Sequence, residues 1–426
     1  MPSPPLSKFA LPRAARAWLA LGLPAALALV VFAAQIHGLD FRVYREGVLA
    51  LLGLNGHRLY DPSLIETDTR GLPFTYPPFA ALIFVPFAFL PEAAGLALVT
   101  GASLICLVAV AAVVVGYLRR NADALPHRLA AALETPTGRG GAVVAAVLAI
   151  GILGPWREGL GFGQVNPMLM LLVLADLLRP ATRVPRGVLI GLAAGLKLTP
   201  LAFGLIFLAR RDWRSILVMG LTFAATIAAG FAAAPQQAAA FWTDALFDAE
   251  RVGDTTNMYN VSLNSLVAHL GAGGALQRPL WLAAALAVIV LGYLAIRHAD
   301  EAGDRLAAIC ANAVVMLAIS PISWFHHWVW AALLLPVVYV SARRRTGRAR
   351  AVGYGLAAVM VPVFLFSSVT ITLTFTGVVL EQGPAALELF TGLGVLLPVA
   401  VLAWWLVVPA PHGTRSRPAQ PVPSPR

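Results

Sequence analysis

Residues 94–118 read AGLALVTGASLICLVAVAAVVVGYL and are followed at once by Arg119 and Arg120. A transmembrane helix needs about 20 consecutive apolar residues, so this run is long enough to cross a bilayer. A basic pair directly after such a run is typical of its cytoplasmic end. The stretch therefore predicts a membrane-spanning helix, and similar runs recur along most of the chain.

The composition supports the same class. Of the 426 residues, 59% are hydrophobic and only 12% are charged, whereas soluble domains carry about 25% charged residues. The net charge of +11 does not indicate nucleic-acid binding, because Lys and Arg lie in clusters between apolar runs, as the positive-inside rule places them. Cys106 and Cys310 both lie inside apolar runs, which predicts packing residues and no disulfide framework. We expect an all-α, polytopic protein in the bilayer.

Charge and length together predict the topology. Further apolar runs cover about 140–156, 165–178, 187–209, 215–234, 278–297, 306–320, 328–341, 351–371 and 387–408, and basic connectors cover 119–120, 179–186, 210–214, 297–305 and 343–350. If every basic connector is cytoplasmic, two segments do not cross completely. Residues 77–90 are too short for a ~30 Å core and are bounded by prolines. Residues 187–209 are basic at both ends and broken near Pro200, which predicts a hairpin of two half-helices.

With both segments re-entrant or interfacial, about 10 transmembrane helices remain and both termini are cytoplasmic. The alternative is that both segments cross and some basic loops lie outside. The run at 18–34 is longer than a usual signal-peptide core and lacks a good cleavage site, so we expect a retained first helix. Residues 1–408 are predicted to form one transmembrane domain, and the Pro-rich residues 409–426 a disordered cytoplasmic tail.

Asp40 follows the first predicted span, at the level of the bilayer interface. Asp40 and Tyr44 share a helix face at i,i+4 spacing. The carboxylate has two interpretations, a helix N-cap or a catalytic base.

Further polar residues occur in two short motifs on the predicted extracytoplasmic side. Tyr76 lies in the motif LPFTYPP, residues 72–78, where aromatic residues and prolines suit a membrane interface but Tyr76 could also line a site. Gln164 and Asn166 lie in GFGQVNP, residues 161–167. Their amides suit sugar hydroxyls, and equally they could cap the helix that Pro167 begins.

Lys197 is the most costly side chain in an apolar segment of this chain. A lysine at the centre of a membrane helix costs roughly 2.5–3.5 kcal/mol on insertion scales. Snorkelling to the interface is one explanation. Binding an anionic phosphate at the break between two half-helices is the other.

The most concentrated polar motif is SPISWFHHW, residues 320–328. Trp324 suits an interface, but His326 and His327 beside serine and proline indicate substrate contact. Adjacent helical histidines point about 100° apart, and no Cys or carboxylate nearby completes a zinc site. Asn264 lies in a second long connector, 235–277, which also contains a glycosylation-like triplet at Asn260 that is too common to be informative.

These motifs occur in this order in one group of proteins. The sequence resembles the actinobacterial polyprenol-phosphate-mannose-dependent α-1,2-mannosyltransferases of glycosyltransferase family 87, from about residue 37 to 340. The resemblance implies a GT-C fold in a bacterial plasma membrane, with an extracytoplasmic active site. It also implies a polyprenyl-phosphate sugar donor, a glycolipid or lipoglycan acceptor, no metal or other cofactor, and Asp40 as the base.

The expected chemistry agrees with the rest of the sequence. A lipid-linked donor needs no nucleotide-binding domain, and the connectors are too short to contain one. Tyr44, Tyr76, Gln164, Asn166, Lys197, Asn264, Trp324, His326 and His327 are the expected substrate contacts. Two alternatives stay open at this point, a transferase that uses another lipid-linked sugar and a lipid or solute transporter. Transporters place their polar sites at the midplane, often with internal repeats, whereas these motifs map to one face.

Overall fold

The computed structural model describes residues 36–66, 71–180, 183–367, 370–371 and 390–407. Over these residues the protein is all-helical, and the only strand-like pairings among them are isolated bridges between Ile65 and Leu72 and between Asn260 and Trp324. The predicted first helix at 18–34 and the tail at 409–426 lie outside the described residues. The all-α class predicted from the sequence is confirmed for the described part of the chain.

Seventeen α-helices are described, several of them joined by short 3-10 or π turns. In chain order they are α1 Leu39–Leu51, α2 Pro78–Phe84, α3 Glu92–Arg120, α4 His127–Glu134, α5 Pro136–Gly151, α6 Gly154–Phe162, α7 Asn166–Leu178, α8 Val188–Leu196, α9 Gly204–Ala209, α10 Trp213–Ala233, α11 Pro235–Ala240, α12 Leu263–His269, α13 Gln277–Glu301, α14 Arg305–Ile319, α15 Ala331–Arg343, α16 Gly347–Phe366 and α17 Leu393–Val407.

The number of long helices differs from the sequence-based expectation. Five helical segments are long and apolar enough to cross a membrane, and a sixth is added if α5 and α6, bent by 74° at a short break, count as one span. Ten spans are therefore not confirmed among the described residues. The apolar runs at 165–178 and 306–320 form helices of 13 and 15 residues, below the length of a full span. The chain is nevertheless multi-pass.

Helix α14 forms the centre of the bundle. Every residue from Leu306 to Ala318 is buried, as expected for a helix that is apolar on all sides. Asp304 begins it by accepting a hydrogen bond from the Ala307 amide at 3.0 Å. By contrast, α10 and α13 expose large apolar side chains such as Leu217 and Leu286, each 62% exposed. Such faces require an apolar environment outside the protein.

The basic connectors meet at one end of the bundle. Arg344 pairs with Asp123 at 3.0 Å, Arg210 pairs with Asp300 at 2.8 Å, and the Tyr117 hydroxyl donates to Asp304 at 2.8 Å. These contacts bring four connectors that are far apart in sequence to the same end. We call it the basic end, where four of the five basic connectors meet.

The segment 187–209 is a broken hairpin, as predicted. Helix α8 ends at Leu196, Lys197 is extended with φ −150° and ψ 127°, and a 3-10 turn at Thr199–Phe203 leads into α9. Gly187, at the start of α8, packs so tightly on the Ser215 carbonyl that a Cβ would clash with it. Both ends of the hairpin therefore lie at the basic end, and Lys197 lies at its tip.

Candidate active site

A cavity of about 320 Å³ opens at the end of the bundle opposite the basic end. This volume falls at the lower end of the range for small-molecule sites. Its walls come from six segments that are distant in sequence. The expected site residues that line it are Asp40, Tyr76, Gln164, Lys197, Trp324, His326 and His327.

Asp40 is placed by the first turn of α1. The helix begins at Leu39 with Gly38 as its N-cap, so Asp40 is not the capping residue. Gly38 has φ 60°, and its amide donates to the Gly161 carbonyl at 2.9 Å. This bond ties the start of α1 to the end of α6. The negative charge of Asp40 is also favoured in the first turn by the helix dipole.

Gln164 follows a turn that only glycine fits well. Gly163 ends α6 with φ 69° and ψ 41°, a left-handed conformation. A Cβ at this position would lie 2.9 Å from the Phe41 Cβ and from a methyl group of Leu96. The Gly-Gln pair in the motif therefore follows from close packing of α6 against α1 and α3.

The Gln164 amide is held in one orientation by its partners. Its Oε1 accepts hydrogen bonds from the Tyr44 hydroxyl and the Val165 amide, both at 3.1 Å. The Tyr44 hydroxyl is also 3.1 Å from that of Tyr76. Because Oε1 accepts, the Nε2 group is the donor, and it points toward the His326 Nε2 at 3.5 Å. Tyr44 does not line the cavity but is fully buried behind it, where it orients Gln164.

Lys197 is bonded at the tip of the hairpin. Its ammonium donates to the Asn166 Oδ1 at 3.0 Å and lies 3.1 Å from the His327 Nε2. Because an ammonium has no acceptor, the His327 Nε2 must accept, which places the ring proton on Nδ1. The ammonium also lies 5.5 Å from the centre of the Tyr76 ring, within the range of a cation–π contact. Lys197 is therefore half-buried and faces the cavity.

The segment carrying the histidines is fixed by the second long connector. The Val261 amide donates to the Ser323 carbonyl at 2.7 Å, and the Phe325 amide to the Tyr259 carbonyl at 2.9 Å. The side chain of Asn260 accepts a hydrogen bond from the Ser323 amide at 2.9 Å. This side chain is 4% exposed and is part of the packing between the two segments.

Besides Tyr44, two further expected contacts lie outside the main cavity. Asn166 lines a smaller adjoining pocket and positions Lys197. Asn264 is buried and donates to the Pro321 carbonyl at 3.4 Å, while its Oδ1 accepts from the Gln277 amide at 3.2 Å. The structure therefore places Asn264 among the bonds that hold the Pro321 segment, away from the cavity wall.

Sequence reasoning missed Asp248 and Arg251, which also line the cavity. Both belong to the connector 235–277 and are separated by three residues, like many turn-forming pairs. No motif marks them, so only their position in a long connector that follows a predicted span could have drawn attention to them.

The electrostatics of Asp40 suit a proton acceptor. Enclosure by protein raises the pKa of the Asp40 carboxyl from 3.8 to about 6, while a hydrogen bond from Gln164 and the charge of Lys197 oppose this rise. A base with a pKa somewhat below neutral is ionised at neutral pH and still accepts a proton readily. Burial likewise raises the pKa of the Tyr76 hydroxyl, so this group stays protonated.

The sequence matches one family of glycosyltransferases and several known proteins named mannosyltransferases. The sequence model described as Glycosyltransferase family 87 matches residues 74–321. A Mycolicibacterium smegmatis protein named polyprenol-phosphate-mannose-dependent alpha-(1-2)-phosphatidylinositol mannoside mannosyltransferase is 37% identical over 319 residues, which are 72% of this chain and 71% of the relative. Its Mycobacterium tuberculosis namesake is 35% identical, over 76% of this chain and 75% of its own.

A second kind of relative is somewhat less similar. The M. smegmatis protein whose name specifies phosphatidylinositol pentamannoside is 33% identical, over 75% of this chain and 73% of its own. No solved structure matches the chain. The family match covers more than half of the sequence, including Gln164, Asn166 and Lys197, and on this basis the chain is a glycosyltransferase that belongs to glycosyltransferase family 87.

Proposed function

We propose that the protein transfers a mannosyl residue from a polyprenyl-phosphate donor to a phosphatidylinositol mannoside or related glycolipid, through an α-1,2 linkage. The names of the relatives supply the donor, acceptor and linkage. The observation that carries the proposal is that Asp40 and Lys197 line one cavity of about 320 Å³. The cavity thus combines a proton acceptor with a cation, the two functions that displacement of a sugar phosphate needs.

In the proposed reaction, a hydroxyl oxygen of the acceptor forms a bond to the anomeric carbon of the donor sugar. The bond between that carbon and the phosphate oxygen breaks, and its electron pair leaves with the polyprenyl phosphate. Asp40 accepts the proton of the attacking hydroxyl. Because the leaving phosphate carries the developing charge itself, its departure needs stabilisation by a cation and hydrogen-bond donors.

Lys197 suits the phosphate for geometric reasons. Its ammonium is held by the neutral groups Asn166 and His327, which fix its position without neutralising its charge. A contact between an ammonium and a phosphate is about twice as strong as one between neutral groups. His326, His327 and Trp324 would complete the wall around the donor.

The proposed orientation places the cavity on the extracytoplasmic side, with a GT-C-type fold and both termini in the cytoplasm. Its support is the basic end, where Arg210 and Arg344 form their ion pairs. Lys and Arg are enriched in cytoplasmic connectors, and the cavity opens at the opposite end. The finer count of about 10 spans includes the run at 18–34, which lies outside the described residues.

The test is a transfer assay with membranes that contain the protein. Labelled polyprenol-phosphate-mannose and a phosphatidylinositol dimannoside are supplied, and the labelled glycolipid is separated by thin-layer chromatography. We expect label in a product with one additional mannose. Transfer only from polyprenol-phosphate-glucose would contradict the mannosyl donor, and transfer from neither would contradict the proposal as a whole.

A further inference from the structure

The connector between α10 and α13 forms a wall of the cavity that the proposed reaction has not used. It contributes Phe241, Ala245, Leu246, Asp248, Arg251 and Val252 to the lining. The other walls carry the base, the lysine and the histidines. This wall, which we call the connector wall, therefore offers a second set of polar side chains to whatever else enters the cavity.

A π turn shapes the connector wall. Residues Phe241–Ala245 adopt π geometry, and the Leu246 amide donates to the Phe241 carbonyl at 3.0 Å. Single π turns are rare and occur frequently at functional sites. Here the turn places the Phe241 ring, which is 2% exposed, beside the cavity while the chain continues toward Asp248.

Arg251 is fixed against the segment that carries Tyr76. Its Nη1 donates to the Phe74 carbonyl at 2.8 Å, and its guanidinium lies 5.5 Å from the centre of the Tyr60 ring. The Tyr60 hydroxyl in turn donates to the Tyr76 carbonyl at 3.0 Å. The guanidinium is thereby held in a fixed relation to the wall that contains Tyr76, and a fixed donor makes a selective ligand contact.

The charge balance of the connector wall differs from that around Lys197. Arg251 has two carboxylates as electrostatic neighbours, Asp244 and Asp248, besides the ring of Tyr60. The Asp248 carboxylate also accepts a hydrogen bond from the Arg251 amide at 3.1 Å. One guanidinium beside two carboxylates gives a local excess of negative charge, which disfavours a phosphate.

A sugar fits this set of groups better than an anion does. Carboxylate oxygens accept hydrogen bonds and a guanidinium donates them, so the pair of Asp248 and Arg251 matches hydroxyls that do both. The partly exposed side chains of Leu246 and Val252 offer an apolar surface to the C–H face of a sugar ring, in the mixed pattern common to small-molecule sites.

We propose that the connector wall is the subsite for the acceptor's terminal sugar, a neutral polyol, with Asp248 and Arg251 as its specificity-determining contacts. This inference rests on the proposed function for the identity of the second substrate. The donor phosphate is then held at Lys197, the attacking hydroxyl meets Asp40, and the connector wall decides which sugar presents that hydroxyl.

The test measures sugar binding directly and without donor. Purified protein in lipid nanodiscs is titrated with methyl α-mannoside, and binding is followed by saturation-transfer NMR. We expect Arg251→Gln and Asp248→Asn each to weaken binding about tenfold or more, since each removes a charge-assisted hydrogen bond. Glu250→Gln is the matched control, because Glu250 is an exposed carboxylate of the same connector that does not line the cavity.

Several outcomes would overturn the inference. These are absence of mannoside binding to the unchanged protein, equal binding by the control and both variants, and displacement of the mannoside by inorganic phosphate. Asp248 is exposed, so Asp248→Asn should fold. This variant therefore still tests the inference if Arg251→Gln fails to fold after losing its bond to Phe74. Because no donor is present, the measured mannoside binding does not depend on whether the protein catalyses mannosyl transfer.

A kinetic measurement adds an independent criterion where transfer is observed. Both variants should raise the apparent KM for the glycolipid acceptor and leave that for the donor unchanged. A rise in the donor KM alone would assign the connector wall to the donor and contradict the inference.

Discussion

Asp40 gives the clearest prediction at the scale of single residues. Asp40→Asn keeps the shape of the side chain but removes its ability to accept a proton, so we expect mannosyl transfer to fall by roughly 10²-fold or more. Donor binding should persist, because Lys197 and the histidines are unchanged. Transfer assays and donor binding in the same membranes check both expectations. Near-normal turnover would contradict the role of Asp40 as the base.

The same substitution should not destabilise the fold. The rise of the Asp40 pKa from 3.8 to about 6 means that the folded state disfavours the ionised carboxyl. The protein therefore loses folding stability as pH rises through this window. The loss is at most about 3 kcal/mol, and water in the cavity makes it smaller. Above pH 7 the amide removes this cost, so the Tm of Asp40→Asn should equal or exceed that of the unchanged protein.

The pH dependence of transfer follows from the same group. Below pH 6 Asp40 binds a proton and can no longer act as a base, so kcat/KM should fall about tenfold per pH unit on the acid side, with a midpoint near 6. The measurement is kcat/KM from pH 4.5 to 8 in a detergent that tolerates this range. A midpoint near 4, the ordinary value for an aspartate, would show that the carboxyl is solvated during the reaction.

Lys197 separates donor binding from the chemical step. Lys197→Met keeps length and removes the charge, so the apparent KM for the donor should rise roughly tenfold or more. The change removes the cost of burying an ammonium, which stabilises the fold. It also leaves Asn166 Oδ1 and His327 Nε2 without a hydrogen-bond donor, which destabilises the fold, so the net change in stability should be small. If the donor KM stays the same at fixed acceptor, the lysine is only snorkelling and the phosphate is bound elsewhere.

At the scale of elements, the position of the site depends on how helix ends meet. The turn at Gly163 joins α6 to α7 and brings Gln164 toward Asp40, while the break at Lys197 turns α8 back into α9. The N-terminal ends of α1 and α7 and the tip of the hairpin therefore converge on one cavity. Each turn uses local backbone geometry that a regular helix cannot provide.

Gly163→Ala tests this convergence. The left-handed conformation costs an alanine about 1–2 kcal/mol, and its Cβ would press on Phe41 and Leu96 at 2.9 Å. We expect a lower Tm and a larger fall in kcat than in donor binding, because Gln164 would shift. Gly101→Ala is the control, since Gly101 lies within α3 with no atom within 4 Å of the added Cβ. A Tm loss equal in both variants would contradict the packing argument.

At the scale of the whole molecule, one end of the bundle carries the basic connectors and the other carries the cavity. Native Cys106 and Cys310 are buried and should not react with an impermeant thiol reagent, so single cysteines report accessibility. Asp123→Cys, Glu301→Cys and Arg348→Cys should be protected in intact cells, whereas Glu66→Cys and Glu250→Cys should be labelled. Labelling of the first set from outside would reverse the proposed orientation.

The membrane class, the clustering of the basic connectors and the break near Pro200 follow from the sequence alone. Their causes are local: apolar length, charge placement and the missing amide of proline act within one segment. The motifs also carried the family resemblance. The count of full spans did not follow, because some apolar runs are too short to cross a bilayer. The helices at 166–178 and 305–319 contain 13 and 15 residues, whereas a full span needs about 20.

Only the tertiary structure decided which polar residues meet. Tyr44 bonds Gln164 across 120 residues of sequence, and Lys197 meets His327 across 130. Such contacts depend on the packing of helices against one another, which no single segment specifies. For the same reason Asn264, which seemed equivalent to the other amides, lies behind the Pro321 segment, while Asp248 and Arg251 line the cavity without any motif, because a π turn and a bond to the Phe74 carbonyl place them there.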